Sequence, residues 1–299
     1  MSALLEVAGL QKHFALASPS LAKTLWQRLR SNTHAATPPQ VVRAVDGVSF
    51  SIQPGECVGL VGESGSGKST LVRVLTRLLD PTAGTIHFAG QDIGAIPARR
   101  FARRPERARL QMVFQDPTDS LNPRFTAMAA IAEPLRCLGH MRQRAHRRQR
   151  VQELAELVGL PPELLERFPH QLSGGQKARI GIARAIALQP DLLVLDEPTS
   201  ALDVSVQAVI LRLLASLRQR LGMSYLFISH DLNVVRLLCD RVLVMYRGTI
   251  VESGPAARLF TAPEHAYTQA LLAALPAGPG LSPPGAVAAH EMYRLRSEG

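Results

Sequence analysis

Gly62-Glu63-Ser64-Gly65-Ser66-Gly67-Lys68-Ser69 is the stretch on which the fold turns. It fits the spacing G-x-x-x-x-G-K-[ST], and its flanks give the match weight. The apolar run Cys57–Val61 reads as a strand before it, and Leu71, Val72, Leu75, Leu78 and Leu79 share one side of a helix after it. Glycines at these positions let successive backbone N–H groups, from Gly62 through Thr70, curl around phosphate oxygens, and the helix start adds its partial positive charge. In that geometry Lys68 reaches the β- and γ-phosphates of a nucleotide and the Ser69 hydroxyl ligates Mg²⁺.

Working outward, residues 4–14 and Val48–Ile52 read as strands upstream of the loop, with the turn Pro54-Gly55 between the second of these and the loop strand. Downstream, Leu192-Leu193-Val194-Leu195-Asp196-Glu197 is an apolar strand that ends in two acids. Asp196 is suited to a Mg²⁺-bound water, and Glu197 to polarising an attacking water as a general base. A helix near residues 203–221 and the short strands Tyr225–Ile228 and Val242–Tyr246 complete the pattern of a parallel sheet flanked by helices. Between the halves, residues 117–190 read as a helical subdomain. Within it, Leu172-Ser173-Gly174-Gly175-Gln176 opens a helix predicted over Gln176–Leu188, a second anion-facing helix start. One nucleotide needs only one such start, so the sequence points to two subunits head to tail, each supplying Ser173–Gln176 to the other's phosphate loop.

Composition narrows the class. The chain has 299 residues, 46% of them hydrophobic, which suffices for a sizeable core, and no apolar run approaches the roughly 18 residues of a membrane span. No basic-then-apolar leader opens it, which places it in the cytoplasm. Cys57, Cys137 and Cys239 are far apart and lack C-x-x-C spacing, arguing against a disulfide framework, a metal site or an iron–sulfur cluster and for buried thiols. Net charge is +10, concentrated between Arg99 and Arg150, where 13 arginines face four acids. Interleaved aromatics are absent there, so nucleic acid is disfavoured. The stretch reads as a solvated face or as a surface turned to anionic lipid or a membrane partner. Residues 15–40 read as an insertion in which Leu21, Leu25, Trp26 and Leu29 fall at helical spacing, and the Pro/Gly-rich run 276–285 as a flexible C-terminal end.

With these motifs in order, the chain resembles the ATP-binding subunits of ABC transporters over roughly residues 4–260. The marks are the loop 62–69, Gln115 after Val113-Phe114, the 172–176 segment, Asp196-Glu197, Ser200-Ala201-Leu202-Asp203, and His230. The resemblance implies a P-loop, RecA-like α/β core with an inserted helical subdomain and an N-terminal antiparallel β subdomain. It further implies that Phe14 stacks on adenine where Tyr is usual, that Gln115 senses Mg²⁺ and the attacking water, that His230 contacts the γ-phosphate, and that Asp203 joins the nucleotide site. The string Gln115–Arg124 and the ending Pro263–Thr268 with Leu271 narrow the resemblance to the oligopeptide, dipeptide and nickel import branch. That implies an ATPase domain over 1–262 and an extension over 263–299. It also implies peptide uptake (with nickel, another small solute, or a soluble non-transport role as alternatives) at the cytoplasmic face of the inner membrane. The partners implied are a second, non-identical ATPase subunit, two transmembrane permease subunits and, indirectly, an extracytoplasmic solute-binding protein. Some relatives carry an iron–sulfur cluster on a Cys-rich extension; no Cys follows Cys239 here, which excludes it.

Overall fold

The computed structural model describes residues 2–15 and 41–274. The proposed amphipathic segment at 21–29 and the run 276–285 therefore lie outside the described residues, as does the 15–40 insertion apart from its first residue, Ala15. Two sheets organise the chain. One has six strands in the order β10(Thr249–Pro255)-β9(Arg241–Tyr246)-β3(Cys57–Val61)-β8(Ser224–Ile228)-β7(Leu192–Asp196)-β6(Leu110–Val113). Every pairing from β9 to β6 is parallel, and β10 closes one edge antiparallel. The other is antiparallel, in the order β2(Val41–Ile52)-β1(Leu5–Ala15)-β4(Ala83–Phe88)-β5(Gln91–Asp92).

The uninterrupted apolar runs follow from burial of the parallel sheet on both faces. Side chains alternate between two cores. Val58, Leu60, Leu192, Val194, Leu226, Ile228, Leu243 and Met245 pack toward the antiparallel sheet. Cys57, Val61, Leu193, Leu195, Tyr225, Phe227, Val242 and Val244 pack toward the helices on the other side. The eight helices of six or more residues, among the described residues, are α1(Lys68–Leu75), α2(Ala127–Cys137), α3(Arg144–Leu157), α4(Gly174–Ile186), α5(Val204–Leu221), α6(Leu232–Leu238), α7(Ala256–Thr261) and α8(Ala266–Ala273).

Several expectations need correction. The helix after the loop stops at Leu75: Arg77 adopts a left-handed φ of 56°, the amides of Leu78 and Leu79 both turn back to the Arg73 carbonyl, and Pro81 cannot continue a helix. Leu78 is consequently exposed rather than on the buried stripe. The strand read as Val48–Ile52 begins at Val41, because β2 is drawn out along β1 until Ala15 faces Val41. The helix expected from Gln176 starts at Gly174. Gln176 is its third residue, in a capping box: Gln176 N–H donates to Ser173 Oγ (3.3 Å) and Ser173 N–H to Gln176 Oε1 (2.8 Å). Of the three thiols, Cys57 and Cys239 are buried 3.7 Å apart, whereas Cys137, at the end of α2, is exposed.

Ten of the 13 arginines in the basic stretch are exposed, and some of the 13 are also engaged within the fold. Arg109 pairs with Asp191 at 2.5 Å, Arg150 with Glu153 at 2.9 Å, and the largely buried Arg107 donates to the Thr76 carbonyl at 3.4 Å. Burial lowers the Arg107 pKa.

Candidate functional site

Parallel strands end together, so the loops that follow β3 and β7 meet at one rim. There the chain forms an open cleft of about 550 Å³, lined by Ser64, Gly65, Gly67, Lys68, Ser69 and Thr70 from the loop. From elsewhere come Gln115, Glu197 and His230, together with Val42, Arg43, Ala44, Arg247 and Gly248.

The loop is moulded by what lies behind it. A Cβ on Gly62 would come 2.2 Å from the Met245 carbonyl, and one on Gly67 2.2 Å from the Ala44 carbonyl. Gly67 has φ 108°, ends the loop and caps α1, so Lys68, Ser69 and Thr70 occupy the helix's first turn. Lys68 Nζ donates to the carbonyls of Gly62 (2.7 Å) and Glu63 (2.8 Å) and sits 3.4 Å from Ser66 Oγ. Among the described residues it forms no ion pair. Burial lowers its pKa, and the nearby Glu197, Asp196 and Glu63 only partly offset that. A buried ammonium held by carbonyls, beside a curl of amides, fits a polyphosphate.

Asp196 ends β7 and is buried; burial first, then Glu197 next to it, push its carboxyl above the usual range, against the pull of Arg73 and Lys68. Asp196 and Glu197, with the Ser69 hydroxyl that lines the same cleft as Glu197, offer oxygen donors that suit a hard divalent cation. Glu197 takes a left-handed φ of 45°, at a cost of roughly 1–2 kcal/mol. Its amide donates to the Ile228 carbonyl at 3.0 Å, and its own carbonyl accepts from Ser200 N–H at 3.2 Å. That bend brings Oε2 to 3.3 Å from the donating Gln115 Nε2 and to 3.1 Å from His230 Nδ1.

Gln115, Glu197 and His230, which lie 82 and 33 residues apart, are thus joined in one hydrogen-bonded group facing the phosphate loop. Phe14 is half exposed on β1, directly opposite the cleft residue Val42, with Lys12 Nζ 5.2 Å from its ring. Ser173, Gly174, Gly175, Gln176 and Asp203 do not line the cleft. They neighbour one another instead: Gly174 packs beside Leu202, Gly175 beside Val206, and Asp203 precedes α5. Val42, Arg43, Ala44, Arg247 and Gly248 were not found from the sequence. Arg247-Gly248 is a bare turn between β9 and β10, and nothing in its spelling marks a wall that forms only when the β10 end meets β2.

Comparison with known proteins agrees with this geometry. Residues 45–200 match the family described as ABC transporter. A Brucella ovis protein provisionally named a peptide import ATP-binding protein is 47% identical over 273 residues, 91% of this chain and 78% of that one. A Brucella abortus protein with the same kind of name is 54% identical over 236 residues, covering 79% and 70%. Among solved structures, the ATP-binding cassette MJ0796, in a dimeric post-hydrolysis state with ADP and Pi, superposes with TM-score 0.70 at 26% identity, covering 84% of this chain and 98% of that one. The cbiO1 protein of Clostridium perfringens, part of the cbiONQ ABC transporter complex, gives 0.68, also at 26% identity, covering 88% and 92%.

Proposed function

The chain belongs to the ABC transporter family, whose cassettes bind and hydrolyse ATP, and from that membership we propose that it powers the import of peptides. The observation that carries the reading is the single cleft in which the phosphate loop faces Gln115, Glu197 and His230. On this reading the free amides of the loop 62–70 and Lys68 bind the triphosphate and neutralise its charge, and Phe14 stacks on the adenine. Glu197 accepts a proton from the attacking water. Gln115 and His230 hold the Glu197 carboxylate in place, and His230, exposed at the rim, can exchange that contact for the γ-phosphate. Mg²⁺, held by Ser69, Gln115 and Asp196, would screen the phosphate charge as it develops.

Ser173–Gln176 and Asp203 fall outside the chain's own cleft, which supports assigning them to the nucleotide of a second subunit, so that two ATP close a dimer and hydrolysis reopens it. Among the described residues no helix is long and apolar enough to cross a membrane. Membrane passage is therefore assigned to two permease subunits, with this chain against their cytoplasmic ends, a non-identical ATPase beside it and a receptor on the far side. The division into a cassette over 1–262 and an extension over 263–299 belongs to the same reading.

Glu197→Gln tests the chemistry. Turnover should fall about 10²–10⁴-fold, the usual contribution of a general base, while nucleotide affinity is retained; equal rates in variant and wild type would remove Glu197 from the mechanism. For the solute, a deletion strain should lose growth on peptide as sole nitrogen source and keep nickel-dependent enzyme activity; the converse would reassign the cargo.

A further inference from the structure

The phosphate loop is touched from behind by a residue far outside the stretch that matches the family, Tyr267 of α8. Its hydroxyl oxygen accepts the Glu63 N–H at 2.9 Å. That N–H belongs to the same planar peptide as the Gly62 carbonyl, which accepts Lys68 Nζ at 2.7 Å. One rigid peptide group is therefore held at its two ends, by Tyr267 and by the lysine of the loop. The Tyr267 ring lies 4.2 Å from the Tyr246 ring, tilted 34°, and the guanidinium of Arg247, a residue that lines the cleft, sits 5.0 Å from the centre of the Tyr246 ring.

Helix α8 is itself tied down. Glu252 on β10 accepts the amides of Glu264 (2.9 Å) and His265 (3.0 Å), His265 Nδ1 accepts the Tyr267 amide (3.1 Å), and the Thr268 side chain is fully buried. These contacts fix where the tyrosine hydroxyl stands.

We propose that Tyr267 is a positioning residue for nucleotide binding: by holding the Gly62–Glu63 peptide it presets the loop and parks Lys68 for the incoming phosphates. The proposal rests on reading 62–70 as the nucleotide site. Tyr267 is the better placed for this because Gly62 cannot carry a Cβ and so has no side chain to steady its own peptide. Losing the hydroxyl frees that peptide to rotate, and ATP must then order the loop as it binds.

The test is Tyr267→Phe in the full chain, which deletes the oxygen and keeps the ring on Tyr246, with wild type alongside. Binding of a fluorescent ATP analogue should weaken about 3–10-fold, the range expected for one net hydrogen bond. In steady-state hydrolysis the KM for ATP should rise by a similar factor, kcat fall by less, and the melting midpoint stay put. Glu252→Ala, which unseats the start of α8, should move affinity in the same direction. Unchanged affinity in Tyr267→Phe, or a loss matched by a lower melting midpoint, would overturn the proposal. Failure of the wild type to bind the analogue would instead overturn the nucleotide reading.

Discussion

Asp196 and Glu197 are neighbours in sequence with opposite surroundings: the first is buried at the end of β7, while the second bends through a left-handed φ into the cleft. Because burial and the adjacent carboxylate raise the Asp196 pKa, the folded protein holds that proton longer than the unfolded chain does. Stability from this group is therefore lost as pH rises from the ordinary carboxylate range through its own raised value. Asp196→Asn removes the charge and keeps the shape. Without nucleotide it should melt higher than wild type above that window, by about 2–4 °C for each kcal/mol regained, and the gap should close toward acid. A wild type that gains stability relative to the variant with rising pH would contradict the assignment. The same variant should lose Mg²⁺-dependent turnover. Both acids were legible in the sequence as the end of an apolar strand. Their difference was not, because it arises from φ at one residue and from Gln115 and His230 arriving from other strands.

The elements around the loop show how local chemistry sets geometry. Gly65 and Gly67 both have positive φ, 82° and 108°, but only Gly67 is closely packed. Gly65→Ala meets nothing within 4 Å and carries strain alone, roughly 1–2 kcal/mol. Gly67→Ala adds a 2.2 Å approach to the Ala44 carbonyl, so it should destabilise more and weaken ATP binding more, as thermal melting and nucleotide titration will read. Equal losses in the two would mean that β2 does not mould the loop. The helix start at Gly67-Lys68-Ser69 was readable because it is written locally; the one after Ser173 reads two residues late, at Gln176, which is the third helical residue of a capping box and not the start. Helix and strand ends were less readable. Arg77's turn, which stops α1, is held by Asp80 at 2.7 Å and by the Ile96 carbonyl from a distant loop. The early start of β2 depends on β1 being there to pair with it.

Across the whole molecule, the cleft holds one set of groups and leaves another outside. Ser173→Arg should therefore leave the ATP affinity of the isolated chain unchanged and lower turnover in the assembled transporter, where the proposed second subunit would meet that surface. A fall in the isolated chain's affinity would return Ser173 to its own site. The amino-acid sequence by itself determined the α/β class and the identity of nine of the 14 residues that line the cleft. Those signals are short-range: a glycine spacing, apolar runs that suit strands buried on both faces, and a cap beside a helix. Only the tertiary structure decided that Gln115, Glu197 and His230 share hydrogen bonds, that Arg43 and Arg247 wall the cleft, and that Tyr267 reaches the phosphate loop from 204 residues away. These are contacts between segments whose separation carries no local pattern: the parallel sheet brings Gln115, Glu197 and His230 to one rim from the ends of distant strands, while Arg43 comes from the antiparallel sheet, Arg247 from the β9–β10 turn and Tyr267 from a helix.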